Sequence, residues 1–149
     1  SPIAASDPAL WARVFQVNLH SPYLLVRSCL PLLRRASDAR VLFISSSVAR
    51  QGRAYWGAYA VSKFALEGFM QVLADELEKS TVRVNSLNPG KARTQMRRQA
   101  YPSENINTLP DPATLTAPFV ALLGPQARGV TGGAFDAQSA SSSSSPIGT

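Results

Sequence analysis

The feature that most constrains this chain is a pair of short apolar runs with a long helical pattern between them. Val41-Leu42-Phe43-Ile44 ends in three serines, and Val82-Arg83-Val84-Asn85-Ser86-Leu87 is stopped by Asn88-Pro89-Gly90. Between the runs, from about Ala58 to Lys79, apolar residues recur at helical spacing: Phe64, Leu66, Phe69, Met70, Val72, Leu73 and Leu77. The first run reads as a strand buried on both faces, as strands of parallel sheets are. The helix is apolar over more than one stripe. A second buried face, for instance against another subunit, is therefore expected.

The same alternation extends outward. Ser6 or Asp7 followed by Pro8 is a helix start, with Leu10, Trp11, Val14, Phe15 and Val17 behind it. Asn18 interrupts that pattern. A second helical run follows from about Ser21 to Arg35 and is expected to bend at Pro31. After Gly90, a polar stretch from Lys91 to Pro112 reads as a loop with a short helix. A helix from about Ala113 to Leu123, weakened at Pro118, and a last strand within Val130–Phe135 complete the order. Helix, strand, helix, strand, helix, strand implies a parallel α/β sheet of about three strands, half of a doubly wound domain. Residues 1–138 form that unit. Residues 139–149, a serine-rich tail, cannot bury a core and are expected to be disordered.

Composition narrows the function classes. Of 149 residues, 45% are hydrophobic and 16% charged, which is ordinary for a globular domain. No apolar stretch reaches the roughly 18 residues of a membrane helix. Cys29 is the single cysteine and reads as a small core residue. No internal disulfide is possible, which fits a cytoplasmic location. With His20 the single histidine, a transition-metal site is not expected. The net charge of +6 arises from 15 basic against 9 acidic residues. The basic residues are dispersed and no nucleic-acid motif accompanies them, so a nucleic-acid partner is not expected. Lys91, Arg93, Arg97 and Arg98 are the one concentration. They raise the possibility of a preference for anionic substrates, beside the plainer reading of a solvated basic loop.

The chemistry centres on Tyr59 and Lys63. A spacing of four places both on one helix face. A neighbouring ammonium favours the phenolate form of a tyrosine, making it usable as an acid or base. Alone the pair is unspecific. Thirteen residues earlier, however, Ser46 ends the first strand, at the edge of a parallel sheet where ligands bind. A hydroxyl there can hydrogen-bond an oxygen as charge develops on it. Ser45 and Ser47 read as the capping serines. A buried amide at Asn18 can hold a water.

With these residues in hand, VLFISSSVARQGRAYWGAYAVSKFALEGF resembles the Ser, Tyr-x-x-x-Lys block of the short-chain dehydrogenase/reductases. WARVFQVNLHSPYLLVRSCLPLL is similar to that family's helix bearing its catalytic asparagine, and VRVNSLNPGKARTQM to the strand and Pro-Gly loop beside the nicotinamide. The closing TGGAFDAQ looks closest to the bacterial YciK-like oxidoreductases. The resemblance implies a partial Rossmann-like fold with its N-terminal half missing. It also implies reversible hydride transfer between NAD(P)H and a small-molecule carbonyl or alcohol.

By that resemblance Tyr59 is the general acid/base, and Lys63 promotes its ionisation and holds the nicotinamide ribose. Ser46 orients the substrate carbonyl, and Asn18 supports a proton-relay water. Pro89, Gly90, Ala92 and Thr94 line the nicotinamide, with Thr94 bonding its carboxamide. The cofactor is NAD or NADP, with NADP slightly favoured. The family's glycine-rich TGxxxGxG turn, which receives the pyrophosphate, and the residue that selects between the two cofactors are not in the sequence. The chain is therefore expected to be a truncated form, unstable and inactive alone. The full-length protein is expected to form a homo-oligomer, a dimer or tetramer. The alternative is an inactive remnant that serves only in subunit pairing.

Overall fold

The computed structural model describes residues 2–138. Residues 139–149, for which disorder is expected, lie outside the described part.

Helix α1 (Pro8–Phe15) begins where Asp7 accepts a hydrogen bond from the Ala9 amide, with Pro8 at the first position. Ser6 instead donates to the Ile3 carbonyl. The chain then passes through a π-helical turn, Gln16–His20, directly into α2 (Ser21–Leu33). The interruption expected at Asn18 is this wide turn, a feature often found at functional sites. Pro31 lies inside the last turn of α2, which ends two residues later rather than at Arg35.

Strand β1 (Ala39–Ile44), helix α3 (Gly57–Glu76) and strand β2 (Val82–Asn88) follow. Helix α4 (Gln95–Ala100), helix α5 (Thr116–Leu123) and strand β3 (Ala134–Asp136) complete the chain. The sheet is parallel, in the order β1-β2-β3, with Ile44 opposite Leu87 and Asn88 opposite Asp136. Residues 39, 41 and 43 share a sheet face with residues 82, 84 and 86. On that face α3 contributes Leu66, Met70, Leu73 and Ala74, and α2 contributes Val26, to one core with Phe43, Val82 and Val84. On the other face, the buried Arg40 side chain donates to the Gly124 carbonyl at the end of α5. Helices thus lie on both faces, as in a Rossmann-like sheet.

Three expectations need correction. Strand β1 is not buried on both faces. Ala39 and Phe43 are buried, but Val41 and Leu42 are half-buried and Ile44 is exposed. It sits at the sheet edge, with no strand beyond it among the described residues. The last strand is shorter and later than Val130–Phe135, because the chain turns first. Gly129 and Gly132 have φ of +84° and +72°, a region glycine tolerates without strain. Asn85 brackets that turn, donating to Val130 O and accepting from Gly133 N. Finally, Cys29 is half-exposed rather than a core residue. Among the described residues no helix is long and apolar enough to cross a membrane.

Candidate active site

Because β1 and β2 are parallel and paired at Ile44 and Leu87, the segments that follow them leave the sheet along one edge. Ser46 follows β1 there and Pro89 follows β2. Ser45 N donates to Leu87 O at 2.8 Å, which holds the two exits side by side. Ser46 has extended backbone and precedes a 3-10 turn, Ser47–Ala49. Its side chain makes no capping bond. Ser45 is no cap either: it is buried, and its hydroxyl donates to Glu67 Oε1. Ser46 is left half-buried with a hydroxyl that makes no hydrogen bond among the described residues, whereas Ser45 faces the interior.

The chain enters α3 through a tight turn in which Tyr55 and Gly57 have φ of +70° and +40°. Tyr59 lies in the first turn of the helix, half-buried, with its ring 5.8 Å from that of Trp56. Lys63 follows one turn later. Its Nζ is 5.8 Å from the Tyr59 ring centroid and donates to Ile44 O at 2.7 Å. The ammonium is therefore pinned to the end of β1, two residues before Ser46. Burial pushes the Lys63 pKa below its ordinary value, while the charge of Glu67 pulls it upward.

Asn18 meets the same helix from the π turn. Its Nδ2 donates to Ser62 Oγ at 3.0 Å, and Ser62 donates to Tyr59 O at 2.8 Å. The structure thus brings Asn18, Tyr59, Lys63 and the Ser46 segment to the front of α3. Pro89, Gly90, Ala92 and Thr94 stand apart, on the loop after β2. Gly90 has φ of +76°, and Gln138 Nε2 bridges Pro89 O and Lys91 O across it, at 2.9 and 2.7 Å. Thr94 caps α4, accepting from Arg97 N.

The basic cluster is largely ion-paired. Arg97 forms a two-pronged pair with Glu104 at 2.6 and 2.8 Å, and its guanidinium lies 3.7 Å from the Tyr101 ring centroid. The hydrogen bond to Glu104 raises the pKa of Arg97. Arg93 pairs with Asp111 at 2.8 Å, and Lys91 stands 4.0 Å from Glu104. Three of the four cations are ion-paired, but they share two carboxylates, Glu104 and Asp111. Arg98 has no ion pair among the described residues. It lines a shallow cavity of about 430 Å³ with Arg93, Thr94, Gln95, Gln99 and Ile106. That cavity touches the site described above only at Thr94.

Residues 1–105 match the short chain dehydrogenase family. The chain belongs to the short chain dehydrogenase family. It is 47% identical, over 92% of its length, to the uncharacterized oxidoreductase YciK of Escherichia coli K12, of which it covers 54%. Among solved structures, a short chain dehydrogenase from Salmonella enterica serovar Typhi CT18 superimposes with a TM-score of 0.91 at 48% identity. The match covers 93% of this chain and 57% of that one. A short chain dehydrogenase from Shigella flexneri 2a, complexed with NADP, gives 0.89 at 47% identity, covering 92% and 57%. The chain spans about half the length of these relatives.

The residues present fit the nicotinamide end of such a cofactor. An ammonium has three donors and Ile44 O takes one of those on Lys63, leaving two for ribose hydroxyls. Thr94 Oγ accepts its cap bond and keeps a proton to donate. Sequence reasoning missed Glu67 and Gln138. Glu67 carried one signal, a carboxylate between apolar positions of α3. Gln138 carried none, because its partners are backbone carbonyls nearly fifty residues away.

Proposed function

We propose that this short chain dehydrogenase chain carries the acid–base apparatus of an oxidoreductase acting on a small carbonyl or alcohol with NAD(P)H. One observation carries the reading: Lys63 is anchored to the end of β1, beside the Tyr59 ring and two residues from Ser46. A phenol, an ammonium and a free hydroxyl at one sheet edge have a single economical use, protonating an oxygen and stabilising its developing charge.

Bound NAD(P)H would supply the hydride that reaches the carbonyl carbon. Tyr59 Oη gives its proton to the carbonyl oxygen, and the phenolate left behind faces the Lys63 ammonium. Ser46 Oγ donates to the same oxygen and orients it. Asn18 Oδ1, which accepts no bond from the described residues, can hold the water that returns a proton to the Tyr59–Lys63 pair. Pro89, Gly90, Ala92 and Thr94 form the nicotinamide wall, and the two NADP(H) complexes among the relatives favour NADP.

A second reading keeps only subunit pairing. Val61, Phe64 and Val72 line one outward face of α3, exposed by 45%, 43% and 58%, and Leu25 and Leu32 do so on α2. We infer that these faces pair copies of the protein in either reading. NADPH oxidation by the chain fused to the remaining half of its Escherichia coli YciK relative, and by the same fusion carrying Tyr59→Phe, over a panel of aldehydes and ketones, separates the readings. The expected result is a loss of about 10²–10⁴-fold with the fold intact. Equal rates in the two fusions, or no binding of NADPH by the unaltered fusion in calorimetry, overturn the enzymatic reading and leave the pairing one.

A further inference from the structure

Behind the proposed site lies a charge that neither the family motif nor the acid–base scheme uses. Glu67 is 6% exposed and makes no ion pair among the described residues. Its partners are two buried hydroxyls. Ser45 Oγ donates to Oε1, and Ser86 Oγ lies 2.9 Å from Oε1 and 2.8 Å from Oε2. Ser45 and Ser86 are 4% and 1% exposed. Burying a carboxylate with no cation in bonding reach is costly. Its neighbours Leu66 and Met70 show that an apolar side chain would suit the position. A polar group kept at such a cost beside a ligand-binding edge calls for a functional account.

We propose that Glu67 is a positioning residue of this site: it locks the two strand ends that carry Ser46 and the Pro89–Gly90 loop, and it is the counter-charge of Lys63. This rests on the dehydrogenase reading and deepens it. Ser45 immediately precedes Ser46, so the Glu67 bond fixes the backbone from which Ser46 projects. Ser86 stands three residues before Pro89 on β2. One carboxylate therefore sets the spacing of the two segments between which the substrate carbonyl would sit. Lys63 is one helical turn before Glu67, on the same side of α3. Burial favours the neutral amine and Glu67 opposes it. No other ionisable side chain of β1, β2, α1 or the π turn contributes to that balance, and Tyr59 is the remaining titratable neighbour. An ammonium lost to burial would hold neither the phenolate nor the ribose.

The test uses Glu67→Gln and Glu67→Asp in the full chain, with ¹³Cε-labelled lysine followed by NMR. Lys79 and Lys91 serve as internal controls. In Glu67→Gln the Lys63 midpoint should fall by about one pH unit, and the alkaline limb of kcat/KM should move down with it. Glu67→Asp keeps the charge but falls a methylene short of the hydroxyls. It should leave the Lys63 midpoint in place while kcat drops about tenfold. An unchanged Lys63 midpoint in folded Glu67→Gln overturns the proposal. So does an Asp variant whose midpoint falls as far as that of the Gln variant. The Asp variant also carries the test should the Gln variant not fold. The NMR arm needs no cofactor: a shifted midpoint in the chain beside an inactive fusion with the YciK half sinks the dehydrogenase reading and spares the Glu67–Lys63 coupling. An unshifted midpoint beside an active fusion does the reverse.

Discussion

The two halves of helix α3 lie on the same sheet and meet it with different chemistry. From Gly57 to Glu67 the helix makes its polar contacts, Ser62 with Asn18, Lys63 with the Ile44 carbonyl and Glu67 with Ser45 and Ser86, beside Leu66, which already joins the apolar core. From Met70 to Leu77 the contacts are apolar, with Met70, Leu73, Ala74 and Leu77 closing over Val82 and Val84. The division follows the strands. The polar half sits over their carboxyl ends, where ligands bind in such sheets, and the apolar half over their beginnings. One helix thus divides two tasks. Its back half holds the sheet, and its front half keeps charged and hydroxyl groups in place at a cost the back half offsets.

If that division is real, substitutions in the two halves should act on different measurements. The largest effect on stability is expected at Met70, which is 1% exposed. Met70→Ala leaves a cavity in the apolar half and should cost about 3 kcal/mol, read from the midpoint of urea unfolding. The titration of Lys63 should not move. A shift there would mean that the two halves are mechanically coupled and the comparison breaks down. Next in size is Ser86→Ala. It removes one donor from a buried carboxylate and should cost about 2 kcal/mol in the same assay. A loss under half of that would show that Ser45 alone satisfies Glu67.

A smaller and more local effect is expected at Gln138. Its amide joins Pro89 O to Lys91 O across Gly90. Gln138→Ala should release about 1 kcal/mol of restraint and speed hydrogen exchange at Gly90 and Lys91 severalfold, leaving Val82 and Val84 protected. Uniform acceleration would instead mean that Gln138 supports the sheet as a whole.

These differences also explain what could be read from the sequence. The strands around Phe43 and Val84, the helix carrying Tyr59 and Lys63, and the edge position of Ser46 followed from periodicity and spacing, which are local. The π turn at Asn18 was visible only as a break, because a one-residue widening changes hydrogen bonding more than composition. The pairing of Arg97 with Glu104 and of Arg93 with Asp111 was hidden, since the acidic partners lie 7 and 18 residues away and nothing in composition links them. The same limit applied to Glu67. Its meaning comes from Ser45 and Ser86, which the parallel register of β1 and β2 brings together only after folding.

The smallest expected effect concerns the outer rim of the same edge, where charge is exposed rather than buried. Asp136, at the end of β3, accepts from Asn88 Nδ2 and Arg50 Nη1, both at 2.7 Å, tying the loop after Ser46 to the ends of β2 and β3. Burial pushes the Asp136 carboxyl up, but the bonds from Arg50 and Asn88 outweigh it and leave the carboxyl below its ordinary 3.8. A folded-state value below the unfolded one means that the unfolded chain takes up protons first as pH falls. The stabilisation is therefore complete above pH 3.8 and drains away as pH drops through the lower folded value. Arg50 and Asp136 are 37% and 43% exposed, so solvent screens the pair and its worth is under about 1 kcal/mol. Asp136→Asn should thus be slightly less stable than the unaltered chain at neutral pH and indistinguishable from it well below pH 3.8. The gap should shrink in high salt, unlike any deficit at Glu67, which is shielded from solvent. A gap that survives acid would show that packing rather than charge holds the rim, and the contrast between a screened outer tie and a buried inner one would fail.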